Sequence, residues 1–270
     1  MAVTRSKLDR LRSIVRSMGS AAVAFSGGAD SALVARIAED ELGDKALAVT
    51  IDSPMYPRSE LRAARSLAKA IGIRLVVVTI DPLSDPGFSG NPPDRCYTCK
   101  LAGLGEVLRV AGEHSLAHVL DGSNVDDSSA YRPGSRAKEE LGVRSPLAEA
   151  GLGKEDVIRI SRRLRLPTHG KVPSPCLATR VPYGDRLTPE LLDRIEKAEA
   201  YLSGKGFGQV RVRAHGGIAR VEVPEALAHR LTQPRTRAQV VRRLKSLGFT
   251  YVTVDLEGYR SGSMDEVLGR

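Results

Sequence analysis

Two groups of residues in this 270-residue chain have types and spacing suited to chemistry. The first is Ser26-Gly27-Gly28-Ala29-Asp30-Ser31, which sets adjacent glycines and two hydroxyls at one turn. Backbone N–H groups bared by such a turn, at the start of a helix, favour negative charge, so the turn suits a phosphate or pyrophosphate. It has no lysine of the kind that closes a G-x-x-x-x-G-K-S/T loop, and it is not G-x-G-x-x-G. Kinase-like and dehydrogenase readings therefore lose their support. The second group is sulfur: Cys96 and Cys99 in a C-x-x-C, and Cys176, the only other cysteine. An odd, sparse count argues for thiols acting as ligands or nucleophiles rather than for bridges. Three thiolates suit a [4Fe-4S] cluster with one iron left open. Zinc would want a fourth ligand, for which His169 is a candidate, and a dithiol redox pair or no metal at all stay open.

These residues need a scaffold. Ala21 to Phe25 reads as a buried strand, and Leu33, Val34 and Ile37 mark the apolar face of a helix after the turn, with Asp30 or Ser31 as its cap. Leu8, Leu11, Val15 and Met18 stand at helical spacing and predict a leading helix packed on the sheet. There follow a strand over Ala46 to Ile51, a helix over 57–71, a strand over Arg74 to Ile80, a helix over Ala102 to Ala111 and a short strand over Ala117 to Leu120. This alternation predicts an α/β fold, a parallel sheet with helices on both faces and ligands at the carboxyl ends of its strands. Ser26, Asp52 and Asp121 fall at such ends. Asp52 and Asn124 are thus candidate nucleotide contacts, with turn and cap chemistry as the plainer alternative.

Two segments break the rhythm. Asp81 to Arg95 holds four prolines and two glycines, too many breakers for regular structure, and it delivers Cys96 and Cys99 to a helix start. Leu166 to Tyr183 holds four more prolines and Cys176, and the domain boundary is placed there, giving domains 1–185 and 186–270. The second is a smaller α+β unit: a helix over Pro189 to Leu202, strands over Gln209 to Arg213 and Ile218 to Val223 about a His215-Gly216-Gly217 turn, a helix over Thr236 to Leu247 and a strand over Tyr251 to Asp255.

The opening Met-Ala-Val-Thr-Arg-Ser-Lys lacks an apolar signal region, and no run approaches the ~20 apolar residues that cross a bilayer, so a cytoplasmic protein without a membrane partner is expected. The net charge of +9 would serve RNA or a small polyanion equally. With seven Tyr, four Phe, no Trp and no recognisable RNA-binding motif, a nucleic-acid partner is not expected.

The Ser-Gly-Gly-x-Asp-Ser turn resembles the pyrophosphate loop (PP-loop) of the ATP pyrophosphatase superfamily, with its adenine nucleotide alpha hydrolase-like fold. Such enzymes split ATP between the α and β phosphates and join AMP to an acceptor. Further segments resemble the LarE family: Arg95-Cys96-Tyr97-Thr98-Cys99-Lys100, Asp121-Gly122-Ser123-Asn124-Val125-Asp126-Asp127, Tyr131-Arg132-Pro133-Gly134 and Gly142-Val143-Arg144-Ser145-Pro146-Leu147. Pro175-Cys176-Leu177-Ala178-Thr179-Arg180 and Asp255-Leu256-Glu257-Gly258-Tyr259-Arg260-Ser261-Gly262 are the most specific of them.

The resemblance implies an ATP-dependent, AMP-forming sulfur transferase that helps build the nickel-pincer nucleotide cofactor of lactate racemase. A carboxylate of pyridinium-3,5-biscarboxylic acid mononucleotide is adenylated, and sulfur then displaces AMP to leave a thiocarboxylate. In one branch of the family the cysteine matching Cys176 is the sacrificial sulfur donor. In the other, three cysteines hold a [4Fe-4S] cluster carrying an extra sulfide, and Cys96, Cys99 and Cys176 place this chain there. The resemblance gives Ser26, Gly27, Gly28, Asp30 and Ser31 to ATP and Mg2+, with Asp30 and Cys176 in the chemistry. For the substrate's phosphate and carboxylates the candidates are Arg180, four residues after Cys176, and Arg211 and Arg213 on one strand face, with Glu199 and Glu222 behind them. A solvated strand face is the plainer reading of the two strand arginines. The C-terminal domain is then a substrate-binding or oligomerisation domain, and a homohexamer is implied, with the sulfide source unspecified. The rivals are a tRNA thiolase, favoured by the basic charge, and an NAD synthetase-type ligase, which has no use for three cysteines.

Overall fold

Small apolar residues buried on both faces make β1 (Ala21–Ala24) the natural centre of a parallel sheet. The computed structural model describes residues 2–129, 134–168 and 175–269. His169, the candidate fourth zinc ligand, and Tyr131 to Pro133 lie outside the described residues. In chain order the first elements are α1 (Ala2–Ser17), β1, α2 (Ala29–Leu42), β2 (Ala46–Asp52), α3 (Arg58–Ile71) and β3 (Leu75–Thr79). There follow α4 (Pro86–Ser89), α5 (Arg95–Glu113), β4 (His118–Leu120), α6 (Gly134–Glu140), α7 (Pro146–Glu149) and α8 (Lys154–Arg163). Last come α9 (Pro189–Leu202), β5 (Arg211–His215), β6 (Ile218–Glu222), α10 (Glu225–Thr232), α11 (Pro234–Ser246) and β7 (Tyr251–Val254). The chain divides into two compact units, Met1–Ser53 with Arg58–Asp81 and Asp94–Ser174, and Pro54–Pro57 with Pro82–Pro93 and Pro175–Arg270.

The sheet of the first unit runs β3-β2-β1-β4, with each neighbouring pair parallel. Alternate residues serve opposite faces, as strand geometry requires. Ala21 and Val23 join a core with Leu11, Val15, Leu33, Ile37 and Leu67 from α1, α2 and α3. Ala22, Leu47 and Val49 join another with Val107, Val110 and Ala111 of α5. The parallel sheet with helices on both faces is therefore as the sequence predicts. Arg144 extends it by one bridge to Leu120, its N–H reaching the Val119 carbonyl at 2.9 Å, which carries Ser145 alongside the end of β4.

Three local expectations need correction. Helix α2 begins at Ala29 with Gly28 as its N-cap, so Asp30 and Ser31 are inside the first turn rather than capping it. Ser31 Oγ donates to the Gly28 carbonyl at 3.2 Å instead of accepting a cap bond. The segment 81–95 is not wholly irregular, because Asp85 caps α4 by accepting from the Gly87 N–H at 2.8 Å and Pro86 suits the first helical position. Helix α5 starts at Arg95, a full two turns before Ala102, since no breaker intervenes.

In the second unit a Gly216-Gly217 turn joins β5 and β6 as an antiparallel hairpin, and β7 adds parallel to β6. Gly216 has a φ of +57°, which glycine adopts without strain. Backbone bonds tie the outlying pieces to the stretch after 175: Leu177 N–H to the Met55 carbonyl and Leu187 N–H to the Ser89 carbonyl, each at 2.8 Å. Buried Leu192, Ile195, Leu202, Val212, Val221 and Leu244 form the apolar interior.

Candidate functional site

In the first unit the glycine turn sits where β1 ends and α2 begins. Gly27 has a φ of +71°, and a Cβ there would come within 3.1 Å of the Ala64 Cα, so backbone conformation and the approach of α3 both demand glycine. Ser26 Oγ lies 3.1 Å from Ser31 Oγ and accepts from the Gly28 N–H at 3.3 Å. Two hydroxyls and the glycine turn thus meet at the positive end of a 14-residue helix, an arrangement suited to phosphate oxygens. Asp30 Oδ2 accepts from Lys154 Nζ at 2.5 Å, and its Oδ1 from Asn124 Nδ2 at 3.4 Å. Asn124 is therefore brought to the turn. Asp52, at the end of β2, accepts from Arg58 Nη1 at 2.6 Å, while Arg58 Nη2 donates to the Ser53 carbonyl.

The loop after β4 is pinned against the same turn. A Cβ on Gly122 would stand 2.7 Å from the Ser31 nitrogen, so only glycine lets this backbone pass the start of α2. Its neighbour Asp121 is buried and accepts from Ser123 Oγ and Ser145 Oγ, each at 2.7 Å. Lys100 and Lys138 lie 3.5 and 3.6 Å from its Oδ2. Burial pushes the Asp121 carboxyl up, but the hydrogen bonds from Ser123 and Ser145, with the two lysine charges, hold it below its ordinary 3.8.

Cys96 and Cys99 belong to the first turns of α5, with Cys96 exposed and Cys99 half-buried, and none of the three cysteines is in a disulfide. Three residues apart on a helix, their side chains share one face and suit two positions of a single metal centre. Cys176 belongs to the second unit. Among the described residues no three His, Cys, Asp or Glu side chains are gathered as a ready-made metal site.

In the second unit Cys176 immediately precedes a 3-10 turn, Leu177–Arg180, that ends on a fully buried arginine. Arg180 forks onto Glu199, Nε to Oε1 at 2.9 Å and Nη2 to Oε2 at 3.0 Å. Its Nη1 donates to the carbonyls of Pro175 at 2.9 Å and Cys176 at 3.2 Å and to Thr179 Oγ1 at 2.9 Å. Glu199 Oε1 also accepts from the Val212 N–H at 2.9 Å, which joins the cysteine segment to β5. Arg213 forks onto the buried Glu222 at 2.9 and 2.7 Å and donates to the Thr179 carbonyl at 2.9 Å. Arg220 completes this group, reaching Glu222 and Asp255 at 3.2 Å each.

Arg211 is the remaining cation. Its Nη1 donates to the Val210 carbonyl at 2.7 Å, and its guanidinium lies 5.1 Å from the centre of the Tyr259 ring. Burial first, and then the neighbouring Arg180 charge, push it below the ordinary guanidinium value. The solvated-face alternative for Arg211 and Arg213 does not hold, as both are buried.

The residues that sequence reasoning missed are Lys154, Arg58, Lys100 and Lys138, each joined to a predicted acidic residue only by the fold. The profile of the NAD synthase family matches residues 3–89, the stretch that carries the glycine turn. An uncharacterized protein of Synechocystis is 41% identical over 97% of this chain and 98% of its own length. The pyridinium-3,5-bisthiocarboxylic acid mononucleotide synthase of Lactiplantibacillus plantarum is 40% identical over 99% of this chain and 97% of its own. An uncharacterized protein of Methanocaldococcus jannaschii is 31% identical over 88% and 90%.

Proposed function

Because the chain belongs to the LarE family of pyridinium-3,5-bisthiocarboxylic acid mononucleotide synthases, we propose that it is an ATP-dependent sulfur transferase acting on pyridinium-3,5-biscarboxylic acid mononucleotide. The observation that carries this reading is 40% identity extending over 99% of the chain, cysteine segment and C-terminal unit included.

In the first half-reaction a substrate carboxylate oxygen attacks the α-phosphorus of ATP. The acyl–phosphate bond forms as the bond to the β-phosphate breaks, and pyrophosphate leaves. The N–H groups of the Gly27-Gly28 turn and the hydroxyls of Ser26 and Ser31 hold the phosphates, and Asp52 and Asn124 border the nucleotide. Mg2+ supplies charge neutralisation when bound, and Asp30 is the carboxylate at hand to hold it. In the second half-reaction sulfur attacks the acyl carbon and AMP leaves with the electron pair of the broken C–O bond. Arg211 and Arg213 bind the anionic groups of the substrate, with Glu222 fixing Arg213. Arg180 and Glu199 set the backbone at Cys176.

Cys96, Cys99 and Cys176 would hold a [4Fe-4S] cluster, whose chemistry would be to supply sulfide. The C-x-x-C at the start of α5 supports this version over a sacrificial Cys176. The product would feed the nickel-pincer cofactor of lactate racemase, made in the cytoplasm by a homohexamer. For the described residues, no helix is long and apolar enough to cross a membrane.

The test is direct. Protein purified without oxygen is assayed for iron, sulfide and zinc, then given ATP, Mg2+ and the biscarboxylic mononucleotide. AMP, pyrophosphate and a product with sulfur in place of oxygen are expected. Pyrophosphate release without a thiocarboxylate would refute the transferase reading.

A further inference from the structure

The two strand arginines assigned to substrate anions are shut away from water: Arg211 is 6% exposed and Arg213 5%. A substrate cannot reach a guanidinium that solvent does not reach, so part of their cover has to move. The tail after β7 touches them. Tyr259 sets its ring 5.1 Å from the Arg211 guanidinium. Ser263 Oγ accepts from Arg213 Nη2 at 3.2 Å and donates to Glu222 Oε1 at 3.3 Å. Met264 Sδ accepts from Arg220 Nη2 at 3.5 Å. Three arginines of the β5–β6 hairpin are thus met in turn by a ring, a hydroxyl and a thioether, none of which carries a charge.

This cover is fastened differently from the hairpin beneath it. Arg211, Arg213 and Arg220 stand on strands paired along their length. The tail is anchored by its backbone as far as Tyr259, whose N–H donates to the Val223 carbonyl at 2.9 Å, and a Cβ on Gly258 would stand 2.8 Å from that carbonyl. Farther on, among the described residues, the backbone bonds of the tail stay within it, as from the Asp265 N–H to the Gly262 carbonyl at 2.8 Å. Gly262 has a φ of +82°, and a Cβ there would meet nothing nearer than 4.0 Å, so the backbone direction alone calls for glycine. Side chains fasten the far end: Ser263, Met264, and Asp265 Oδ1, which accepts from the Tyr183 hydroxyl at 2.7 Å in an exposed bond.

We propose that residues 263–268 form a gate over the substrate's anion site, anchored at Gly258 and Tyr259, turning at Gly262 and latched by Tyr183 and Asp265. When it opens, a phosphate or carboxylate of the substrate takes Arg213 Nη2 from Ser263 and Arg220 Nη2 from Met264. A hydrogen bond to an ionised acceptor is about twice as strong as one to a neutral acceptor, so the exchange favours the substrate. This rests on the reading of Arg211 and Arg213 as substrate contacts. It adds Arg220 to them and gives the Asp255 to Gly262 segment the task of carrying the gate.

The experiment uses full-length protein purified without oxygen, with pyridinium-3,5-biscarboxylic acid mononucleotide as the probe. Association is followed by stopped-flow tyrosine fluorescence, and opening by amide hydrogen exchange of the tail in protein without substrate. Asp265→Ala and Tyr183→Phe each remove the latch. Both are expected to speed association about fivefold, the equivalent of one hydrogen bond, and to speed exchange over residues 263–268 while β5 and β6 exchange as in the parent. Since the latch is exposed, both variants are expected to melt with the parent. Association that is unchanged or slower, whether or not exchange quickens, overturns the gate while the arginine site stands. A parent protein that does not bind the mononucleotide overturns the substrate site and the gate with it.

Discussion

Arg180 and Glu199 form a two-pronged pair in which the arginine side chain is wholly shut off from solvent, and the same guanidinium holds the carbonyl of Cys176. A residue expected to contact substrate is thus committed to the protein's own backbone. Losing one partner of a buried pair costs about 3–5 kcal/mol, because the other charge is left without a counterion.

Arg180→Met removes the cation and leaves Glu199 without its counterion. The urea midpoint is expected to fall by the equivalent of about 3 kcal/mol. Sulfur transfer should fall further than pyrophosphate release, because the segment that loses its anchor is the one bearing Cys176. Equal losses in both half-reactions would point to a general folding defect.

Gly27→Ala tests the turn. The backbone φ of +71° and the Ala64 Cα at 3.1 Å leave no room for a methyl group. A loss of about 1–3 kcal/mol in stability is expected from denaturant unfolding, together with loss of ATP binding. Gly19→Ala is the control for φ alone, since its Cβ would meet nothing within 4 Å.

The cysteines separate the two sulfur routes. Cys176→Ala should abolish transfer under either. Cys96→Ala should lose iron and sulfur transfer yet retain pyrophosphate release if the cluster is the source, and should behave as the parent if Cys176 is consumed.

His215 and Asp121 both contribute to the acid limb of stability. Burial and the Arg220 charge push the His215 imidazole below its ordinary 6.5, and its Nε2 is buried without a hydrogen bond. The unfolded chain therefore takes up the proton first, and stability is lost as pH falls below 6.5 through the lowered folded value. His215→Asn should flatten that part of the curve. Asp121, held below 3.8, acts lower: its contribution is complete above 3.8 and disappears as pH falls through the depressed folded value. Asp121→Asn should remove this second step. Urea midpoints measured across the acid range read both.

Much of this was legible beforehand, for identifiable reasons. The parallel sheet announced itself because β1, β2 and β3 are short apolar runs between amphipathic helices. Helix α10 did not, since Leu231 is its one fully buried residue and no apolar stripe marks it. Strand β5 lies two residues later than predicted, at 211–215 rather than 209–213, because His215 still pairs with Ile218. A shift of two preserves the face, so Arg211 and Arg213 stayed together. Their burial was hidden, as alternation marks a face without saying whether water covers it. The two-residue Gly216-Gly217 turn did hold a signal: it sets Arg211 opposite Glu222 and Arg213 opposite Arg220. Lys154 left none, because its partner is 124 positions away.

The interleaving of the chain also constrains how this enzyme can be re-engineered. Pro54–Pro57 and Pro82–Pro93 leave the first unit and return to it, and their carbonyls at Met55 and Ser89 are spoken for by Leu177 and Leu187. A chimaera spliced once after Ser174 would graft a foreign tail onto two native fragments cut to fit another. Recombination between relatives would have to exchange three stretches at once, so the C-terminal part is not a detachable module.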